Sequence, residues 1–447
     1  VLVAVSACTL ALRIRGITGW FWLLGDQIRD WEIALGSFSE LPLVGPATHV
    51  GGYTIGPAFY WILWAIRVIV GPWFDNLPHA GGIGQAILQS GVDAVLTVAV
   101  WKRTQSLWVA LASTTLVATA GYDLCLAPLV WNPVMGSTLA KLAIALVLLD
   151  ASRVSMPRVA TTAAVAWMAV HAYTGAIYVT VSVFAALILE PLLKRDWART
   201  WRYGVAMTLV VVALQTPYLV YRLVHRSDNE AMGAVVDSVT RILSGRDAPV
   251  WSASLQGYLG AFNFIQVEPW RTDLASWLLA ACGLAVVIRY RRDVALLCMV
   301  ILPQLMAIAG YSFFLAGLDH YYYLSLMTPA VLTVVLGATS LPSPRLSKAV
   351  GVALLLVALA ITPARVRFAD TLHRMPEYAA LVAGSRTLVQ DGQPLRSVET
   401  EFTLPPTGDP AFLYRVLGGR LDASAPRVGV ITAAGGVTYK QVDGSSP

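Results

Sequence analysis

The sequence predicts an all-α polytopic membrane protein with about 11 transmembrane helices, interfacial juxtamembrane helices and a small C-terminal extracytoplasmic α+β region. The 447 residues are 57% hydrophobic and 13% charged, and this charged share is about half that of a soluble protein. The apolar residues form continuous runs, which is the pattern of membrane helices and not of alternating transmembrane strands. Basic residues recur in every second short connection, as in a chain that crosses a membrane repeatedly.

Each apolar run is predicted to be a helix, because backbone amides in lipid must bond within their own segment. The predicted spans are 1–13, 83–101, 107–121, 134–150, 159–172, 174–193, 203–221, 273–289, 294–314, 324–341 and 349–363. The basic connections contain Lys102 and Arg103; Arg153 and Arg158; Lys194, Arg195, Arg199 and Arg202; Arg289, Arg291 and Arg292; and Arg345 and Lys348. The intervening short connections, 122–131, 173 and 315–321, contain no Lys or Arg. The positive-inside rule therefore places the basic connections in the cytoplasm of a plasma-membrane protein.

Three large pieces then lie outside the cell. The predicted transmembrane domain, 1–364, contains two outer loops, 14–82 and 222–272, and the C-terminal extracytoplasmic domain is 365–447. In the first loop, 30–36 is predicted as a short helix and the aromatic stretch 57–70 as an interfacial or re-entrant helix, too short to span. In the tail, 376–390 is helix-like, and 427–432 and 437–442 form a hairpin around Ala-Ala-Gly-Gly.

The net charge and the cysteines exclude other classes of function. A net charge of +6 is accounted for by basic residues gathered at the cytoplasmic face, so no nucleic-acid partner is predicted. The four cysteines lie in or beside apolar runs without disulfide or metal-ligand spacing, and they are interpreted as small packing residues.

An acidic stretch follows the first predicted span almost at once. Asp26 and Asp30 are four residues apart, so in a helix their carboxylates share one face beside Arg29. A carboxylate partly desolvated by aromatic side chains and lipid has a raised pKa and can serve as a general base. The spacing leaves two interpretations open, a catalytic carboxylate and a solvated acidic first turn of an interfacial helix.

Four further motifs lie at the predicted outer face. They are Pro57-Ala58-Phe59-Tyr60-Trp61, Trp131-Asn132-Pro133, Val170-His171-Ala172-Tyr173-Thr174 and His320-Tyr321-Tyr322-Tyr323. With Asp26-Gln27-Ile28-Arg29 they resemble the GT-C superfamily of polyprenyl-phosphate-sugar-dependent glycosyltransferases, which includes protein O-mannosyltransferases and lipid A aminoarabinose transferases. In that family the first two motifs read roughly Asp-Glu-x-Arg and Pro-Pro-Leu-Tyr-Tyr-Trp. The resemblance covers essentially 1–365.

The resemblance implies an activity for the transmembrane domain. It implies a cell-envelope hexosyl or pentosyl transferase that moves a sugar from a polyprenyl-phosphate donor to an acceptor hydroxyl at the outer membrane face. The richness of the sequence in Ala, Val and Arg separately indicates a bacterial source. Asp26 would be the general base of an inverting reaction, with Asp30 as the second nearby catalytic acid. The acceptor would be a lipid, a protein or a polysaccharide, and membrane lipids are the remaining partners.

The resemblance also implies the residues that bind. The predicted donor-phosphate contacts are His171, His320, Tyr322, Tyr173 and Lys141, and the predicted acceptor or substrate contacts are Arg29, Tyr60, Trp61 and Asn132. Both histidines also fit a packing role, and Lys141 also fits an ion pair with Asp93 across two helices. No cofactor is fixed by these motifs; a divalent cation, Mg²⁺ or Mn²⁺, stays open as a ligand of the site.

Two other classes of function stay open. A transporter or flippase of lipid-linked sugars also has many spans and intramembrane charges, although such proteins usually show inverted repeats, and no internal symmetry is evident here. A non-catalytic membrane scaffold whose tail binds partners would leave the acidic stretch and the aromatic helix after Pro57 unexplained.

Overall fold

The structure is a computed structural model that describes residues 1–17, 25–48, 51–149, 155–225, 230–266, 272–315, 319–372, 375, 377–404 and 408–442. The side chains of 121–122, 230–232, 262–266, 272–275, 320 and 372 lie outside that description.

Helices dominate the described residues. The α-helices are α1 (Leu2–Ile14), α2 (Gly25–Ala34), α3 (Ala58–Ile69), α4 (Leu77–Thr104), α5 (Leu107–Ala118), α6 (Gly121–Leu126), α7 (Asn132–Leu148), α8 (Met156–Ala172), α9 (Ile177–Leu193), α10 (Trp197–His225), α11 (Glu230–Leu243), α12 (Trp251–Gln266), α13 (Thr272–Tyr290), α14 (Val294–Val300), α15 (Leu302–Tyr311), α16 (Met327–Ala338), α17 (Pro344–Leu372), α18 (Glu377–Gln390) and α19 (Pro410–Val416). The 3-10 helices are Phe38–Glu40, Gly71–Trp73, Thr174–Ala176 and His320–Leu326. The strands are β1 (Ser397–Thr400), β2 (Arg427–Ile431) and β3 (Val437–Gln441).

Every predicted span coincides with a helix or with a pair of consecutive helices. By length and composition, 5 helices in the described part of the chain can cross a membrane, or 6 if a bent pair counts as one span. The protein is thus a multi-pass membrane protein with a small C-terminal sheet, and the count of about 11 spans stays a prediction.

The bent pair is α14 and α15, which meet at 41°. Pro303 lies in the first turn of α15. Because proline has no backbone N–H and its ring clashes with the preceding turn, it breaks the helical ladder at this point. The predicted span 294–314 is therefore two short helices, and α15 ends among residues that line the cavity described below.

Glycines allow close packing at two helix contacts. A Cβ at Gly81 of α4 would lie 2.1 Å from the Trp31 ring, and Trp31 is completely buried. A Cβ at Gly136 of α7 would lie 2.4 Å from Tyr173. Real side-chain contacts are never this short, so these two positions require the absence of a side chain.

The first outer loop differs in part from its prediction. The predicted interfacial helix 57–70 is confirmed as α3, which begins after Pro57. The predicted bounds 30–36 are wrong, because α2 begins at Gly25 and ends at Ala34. Asp26 lies in the first turn of α2, where a negative charge is favourable next to the unpaired backbone N–H groups.

The tail forms a small α+β unit, as predicted. The helix predicted over 376–390 is α18, and the predicted hairpin is β2 and β3, paired antiparallel with Arg427 opposite Gln441. Gly435 in the turn has a φ of 79°, a conformation that favours glycine. β1 adds to β2 in parallel, a pairing that the sequence did not predict.

The tail docks on the first outer loop. Tyr378 of α18 contacts Asn76, which donates from Nδ2 to the tyrosine hydroxyl at 3.1 Å. Arg386 pairs with Asp75 at 2.6 Å. Arg415 of α19 pairs with Glu32 of α2. The tail is therefore attached to the same helix that contains Asp26 and Asp30.

Candidate active site

A cavity of about 290 Å³ lies where several loops and helix ends meet. Four predicted site residues are on its wall: Asp26, Asn132, Tyr173 and Tyr322. The wall is built from residues 47–48 and 53–55, the start of α7, the turn between α8 and α9, one face of α11, and the two segments 310–314 and 321–322. The structure thus brings together residues more than 290 positions apart in the sequence, and nine of the 22 lining residues are aromatic.

Among the described residues, Asp26 is the only acidic residue that lines this cavity. Its side chain is 54% exposed, and its Oδ1 accepts a hydrogen bond from Arg29 Nη1 at 3.1 Å. An exposed carboxylate held by one cation can accept a proton from a bound hydroxyl group. The geometry therefore allows Asp26 to act as a base in the cavity. Gln27, the next residue of the motif, is fully buried and does not line the cavity.

Asp30 occupies a different environment although it lies one turn away. Its Oδ1 accepts hydrogen bonds from Arg29 Nε at 2.9 Å and from the Tyr60 hydroxyl at 3.0 Å, and it is buried. Burial raises the pKa of the Asp30 carboxyl to about 6, although the Arg29 guanidinium and the Tyr60 hydroxyl act in the opposite direction. Asp30 does not line the cavity.

Arg29 connects the two acids. One nitrogen of its guanidinium contacts Asp26 and two others contact Asp30, so the chain of contacts runs from Tyr60 of α3 to the carboxylate in the cavity. Tyr60, Arg29 and Asp30 do not line the cavity themselves, and we interpret them as positioning residues for Asp26. Trp61 packs against Phe38 at a ring-centroid distance of 6.5 Å, also away from the wall.

Another part of the wall consists of packed aromatic rings. Tyr321 and Tyr322 stack with centroids 4.9 Å apart, and Trp131 lies 5.1 Å from Tyr321. Tyr311 donates its hydroxyl to the Tyr322 carbonyl at 2.9 Å. Such flat faces can pack on sugar rings or on an isoprenoid chain, and the tyrosine hydroxyls add hydrogen-bond donors.

Asn132 joins this wall at the start of α7. Its Nδ2 donates to the Ala172 carbonyl at 3.3 Å, which ties α7 to the end of α8 beside Tyr173. The wall also includes Tyr53, Tyr178 and Tyr311, which the sequence motifs did not single out. Their positions, one in a loop and two at helix ends, gave no periodic signal.

His171 lies one layer behind the wall. Its carbonyl accepts from Thr54 Oγ1 at 3.0 Å, and its Nε2 lies 3.2 Å from Gln215 Oε1. Gln215 in turn donates from Nε2 to the Ile55 carbonyl at 2.7 Å. Since Thr54 and Ile55 line the cavity, His171 supports this loop from behind. A Cβ at Gly56 would lie 2.2 Å from the His171 ring, so this close packing requires glycine.

His320 lies in the 3-10 helix His320–Leu326. Its side chain is outside the described part of the structure, so its predicted contact with the donor phosphate stays a prediction.

Lys141 lies in a buried ionic cluster away from the cavity. Its Nζ is 2.7 Å from Asp93 Oδ1 and 3.9 Å from Asp123 Oδ1. Arg13 of α1 contacts Asp93 at 2.6 Å and also pairs with Asp123. The structure therefore contains the Lys141–Asp93 ion pair that was the alternative to a phosphate contact. Sequence reasoning missed Arg13 and Asp123, because both lie at the ends of apolar runs, where charges are ordinary.

Metal binding has limited support in the described residues. They contain no group of three or more His, Cys, Asp or Glu side chains arranged around a common point. Asp26 offers a single carboxylate, so a Mg²⁺ or Mn²⁺ ion there would need phosphate oxygens and water for its other ligands. No reaction step below depends on a metal.

Comparisons with solved structures identify the fold. Over 94% of this chain and 85% of the other, the protein superposes on ArnT from Cupriavidus metallidurans bound to undecaprenyl phosphate, with a TM-score of 0.56 and 12% identity. The apo state of the same ArnT gives a TM-score of 0.52, at 12% identity, over 94% and 84% of the two chains.

A second solved structure is similar. It is the archaeal oligosaccharyltransferase AglB from Archaeoglobus fulgidus in complex with an inhibitory peptide and a dolichol-phosphate. The TM-score is 0.51 at 13% identity, and the match covers 95% of this chain and 64% of AglB. In sequence, no protein-family model and no curated protein matches the chain. The chain therefore has the fold of ArnT and AglB, the fold that the GT-C resemblance implied.

Proposed function

We propose that the protein is a glycosyltransferase that moves a hexosyl or pentosyl group from a polyprenyl-phosphate donor to an acceptor hydroxyl. The observation that carries the proposal is Asp26, an exposed carboxylate on the wall of an aromatic cavity of about 290 Å³. The fold supports it: ArnT was solved with undecaprenyl phosphate, and AglB with a dolichol-phosphate and an inhibitory peptide.

In the proposed reaction Asp26 takes the proton of the acceptor hydroxyl. The acceptor oxygen attacks the anomeric carbon from the face opposite the phosphate, and a new carbon–oxygen bond forms. The bond between the anomeric carbon and the phosphate oxygen breaks, and the electron pair leaves with the lipid phosphate. The configuration at the anomeric carbon is inverted. Arg29, 3.1 Å from Asp26, fixes the direction of the carboxylate during the proton transfer.

The leaving phosphate needs hydrogen-bond donors aimed at its developing charge. Among the residues proposed for this role, Tyr173 and Tyr322 lie on the wall with Asp26. Asn132, which is proposed as an acceptor or substrate contact, lies on the same wall. His171 would act through the loop that it supports, and His320 is retained on the motif alone. The acceptor is proposed to be a lipid, a protein or a polysaccharide.

The proposed location of the reaction rests on the distribution of charge. The cavity is at the end of the bundle away from the arginine-rich connections, so the positive-inside rule supports an extracytoplasmic active site in the plasma membrane. Nucleotide sugars are absent there, and a lipid-linked donor is the form in which a sugar can be presented. The tail, docked on α2, would lie on the same side.

The test replaces Asp26 by Asn in the full-length protein in membranes supplied with a labelled polyprenyl-phosphate sugar. Loss of a general base typically costs on the order of 100-fold to 10,000-fold in rate. Glu32→Gln is the matched control, since Glu32 is an exposed acid of the same helix outside the cavity wall. We expect transfer to be lost in the first variant and kept in the second.

Two results would overturn the proposal. Full transfer by a stably folded Asp26→Asn protein would remove Asp26 from the reaction. Movement of the labelled lipid across a vesicle membrane without a new glycosidic bond would make the protein a transporter of lipid-linked sugars.

A further inference from the structure

A second, larger cavity of about 1510 Å³ lies at the other end of the bundle. α9 shows the relation between the two cavities, because Ile177 at its start lines the candidate active site and Leu193 at its end lines the second cavity. A helix of this length rises by about 25 Å. The wall of the second cavity comes from the ends of α4, α9, α13 and α16 and the start of α14. It shares no residue with the proposed active site.

This cavity is strongly basic. Its wall contains five basic side chains, Arg103, Lys194, Arg289, Arg291 and Arg292, and two acidic ones, Glu190 and Asp293. Both acids already have partners on the wall: Asp293 pairs with Arg103, and Glu190 pairs with Lys194 at 2.8 Å. The three arginines at and just after the end of α13 form no ion pair within the described residues. The cavity therefore has a net charge of +3 that its own residues do not balance.

The Arg103 side chain is held in place within this wall. Its side chain is only 9% exposed, and one guanidinium nitrogen pairs with Asp293. Its other two nitrogens, Nε and Nη1, are buried and have no hydrogen-bond partner among the described residues. Buried donors without acceptors are unfavourable, and phosphate oxygens are acceptors that match a guanidinium group well.

Apolar residues form the rim. Leu193 and Ile288 line the cavity and are 65% and 63% exposed. A neighbouring cavity of about 550 Å³ shares Arg289 and Tyr290 and adds Lys348. Its wall contains two exposed tryptophans, Trp101 and Trp108, a residue type that concentrates at the boundary between lipid and water. A ligand with a charged head and apolar chains fits this combination better than a wholly water-soluble anion.

We propose that this basic cavity binds the phosphate headgroup of an anionic phospholipid, with the acyl chains lying along Leu193 and Ile288. Basic pockets between membrane helices are sites of this kind when arginines converge at headgroup depth. Arg289, Arg291 and Arg292 would contact the phosphate, and Arg103 would supply its unused donors from the wall. The site is independent of sugar transfer and would anchor the cytoplasmic ends of α9, α13 and α14.

The test measures lipid retention by the purified full-length protein with native mass spectrometry. Phosphatidylglycerol and phosphatidylcholine of identical chain length are offered in equal amounts. We expect a preference for phosphatidylglycerol that falls on the order of 100-fold in the triple variant Arg289→Gln, Arg291→Gln, Arg292→Gln. The matched control is Lys102→Gln, Arg202→Gln, Arg345→Gln, which removes the same charge from exposed side chains at that end but outside both cavities. It should keep the preference.

Each remaining outcome overturns the proposal. Equal retention of the two lipids by the wild-type protein would exclude a headgroup site. If the control variant loses the preference for phosphatidylglycerol to the same extent, the preference comes from general attraction between basic residues and anionic lipids. If glycerol phosphate displaces phosphatidylglycerol at millimolar concentration, the cavity takes a water-soluble phosphate and the lipid assignment is wrong. Because the three arginines of the test variant are outside the partly buried Arg103–Asp293 pair, the variant should fold.

Discussion

Two clusters of Arg, Asp and Lys side chains in this protein contain the same chemistry in opposite settings. The first cluster, the triad, is Asp26, Arg29 and Asp30, beside the aromatic cavity. The buried tetrad is Arg13, Asp93, Asp123 and Lys141, between α1, α4, α6 and α7.

The two clusters differ in charge balance and in exposure. The tetrad contains two positive and two negative charges, all buried, whereas the triad contains two carboxylates for one guanidinium and leaves Asp26 54% exposed. A balanced buried cluster holds helices together, since every charge is needed by another. An unbalanced, partly exposed cluster keeps one carboxylate available to a substrate. Exposure and balance, and not residue type, thus separate a structural cluster from a candidate catalytic one.

Breaking the tetrad should give the largest effect on stability. Lys141→Met leaves Asp93 without its 2.7 Å partner, and removing one member of a buried ion pair costs about 3–5 kcal/mol. The free energy of unfolding should fall by that amount in a denaturant titration in detergent. The double variant Lys141→Met, Asp93→Asn should recover part of the loss, because no uncompensated charge remains. A single variant as stable as the wild-type protein would contradict the structural interpretation of the tetrad.

Removing the Asp30 charge from the triad should increase the stability of the protein. The pKa of Asp30 is raised by burial from 3.8 to about 6, so ionised Asp30 destabilises the folded state at neutral pH. Asp30→Asn should therefore raise the free energy of unfolding at pH 7 by up to about 3 kcal/mol.

The gain in stability from Asp30→Asn should depend on pH. The gain should be complete above about pH 6, shrink as the pH falls, and vanish below 3.8, where the wild-type carboxyl is protonated in both states. Thermal unfolding of both proteins between pH 3 and 8 measures it. Sugar transfer should nevertheless fall, because Arg29 loses the partner that positions it against Asp26. A loss of stability at pH 7 with unchanged transfer would show that the triad is structural like the tetrad.

The smallest effect is expected at the contact between the tail and α2. Arg415 and Glu32 form an ion pair of two partly exposed side chains, and such pairs contribute less than about 1 kcal/mol. Arg415→Gln should leave the free energy of unfolding within that range, and its effect should decrease further at high salt. A larger loss, measured in the same titration as Lys141→Met, would show that exposure is not what separates the two clusters.

The fold followed from the sequence wherever a run of apolar residues was long and continuous. α4, α9, α10 and α17 are such runs, and the tail helix and hairpin were marked by their own patterns. The start of α2 and the break before Pro303 were not predicted, because each is decided by a few local contacts that leave no periodic trace. The parallel pairing of β1 with β2 joins segments about thirty residues apart, which no local pattern specifies.

Some of the predicted site residues lie together in the structure and others do not. Asp26, Asn132, Tyr173 and Tyr322 belong to motifs from different parts of the chain and line one cavity. Tyr60 and Arg29 came from the same motifs but contact Asp30 and not the cavity. A sequence motif predicts that its residues belong to one region of the structure. It does not predict which of two neighbouring side chains faces the cavity.

The sequence by itself determined that this chain is a helical membrane protein, because the low charged share and the long apolar runs leave no other way to satisfy the backbone. It also determined which ends of the helices are basic. Only the tertiary structure decided that Asp26 is exposed and Asp30 is buried, and that Lys141 has Asp93 as its partner. The physical reason is that burial and pairing depend on neighbours brought together by packing, and these neighbours lie far away in the sequence.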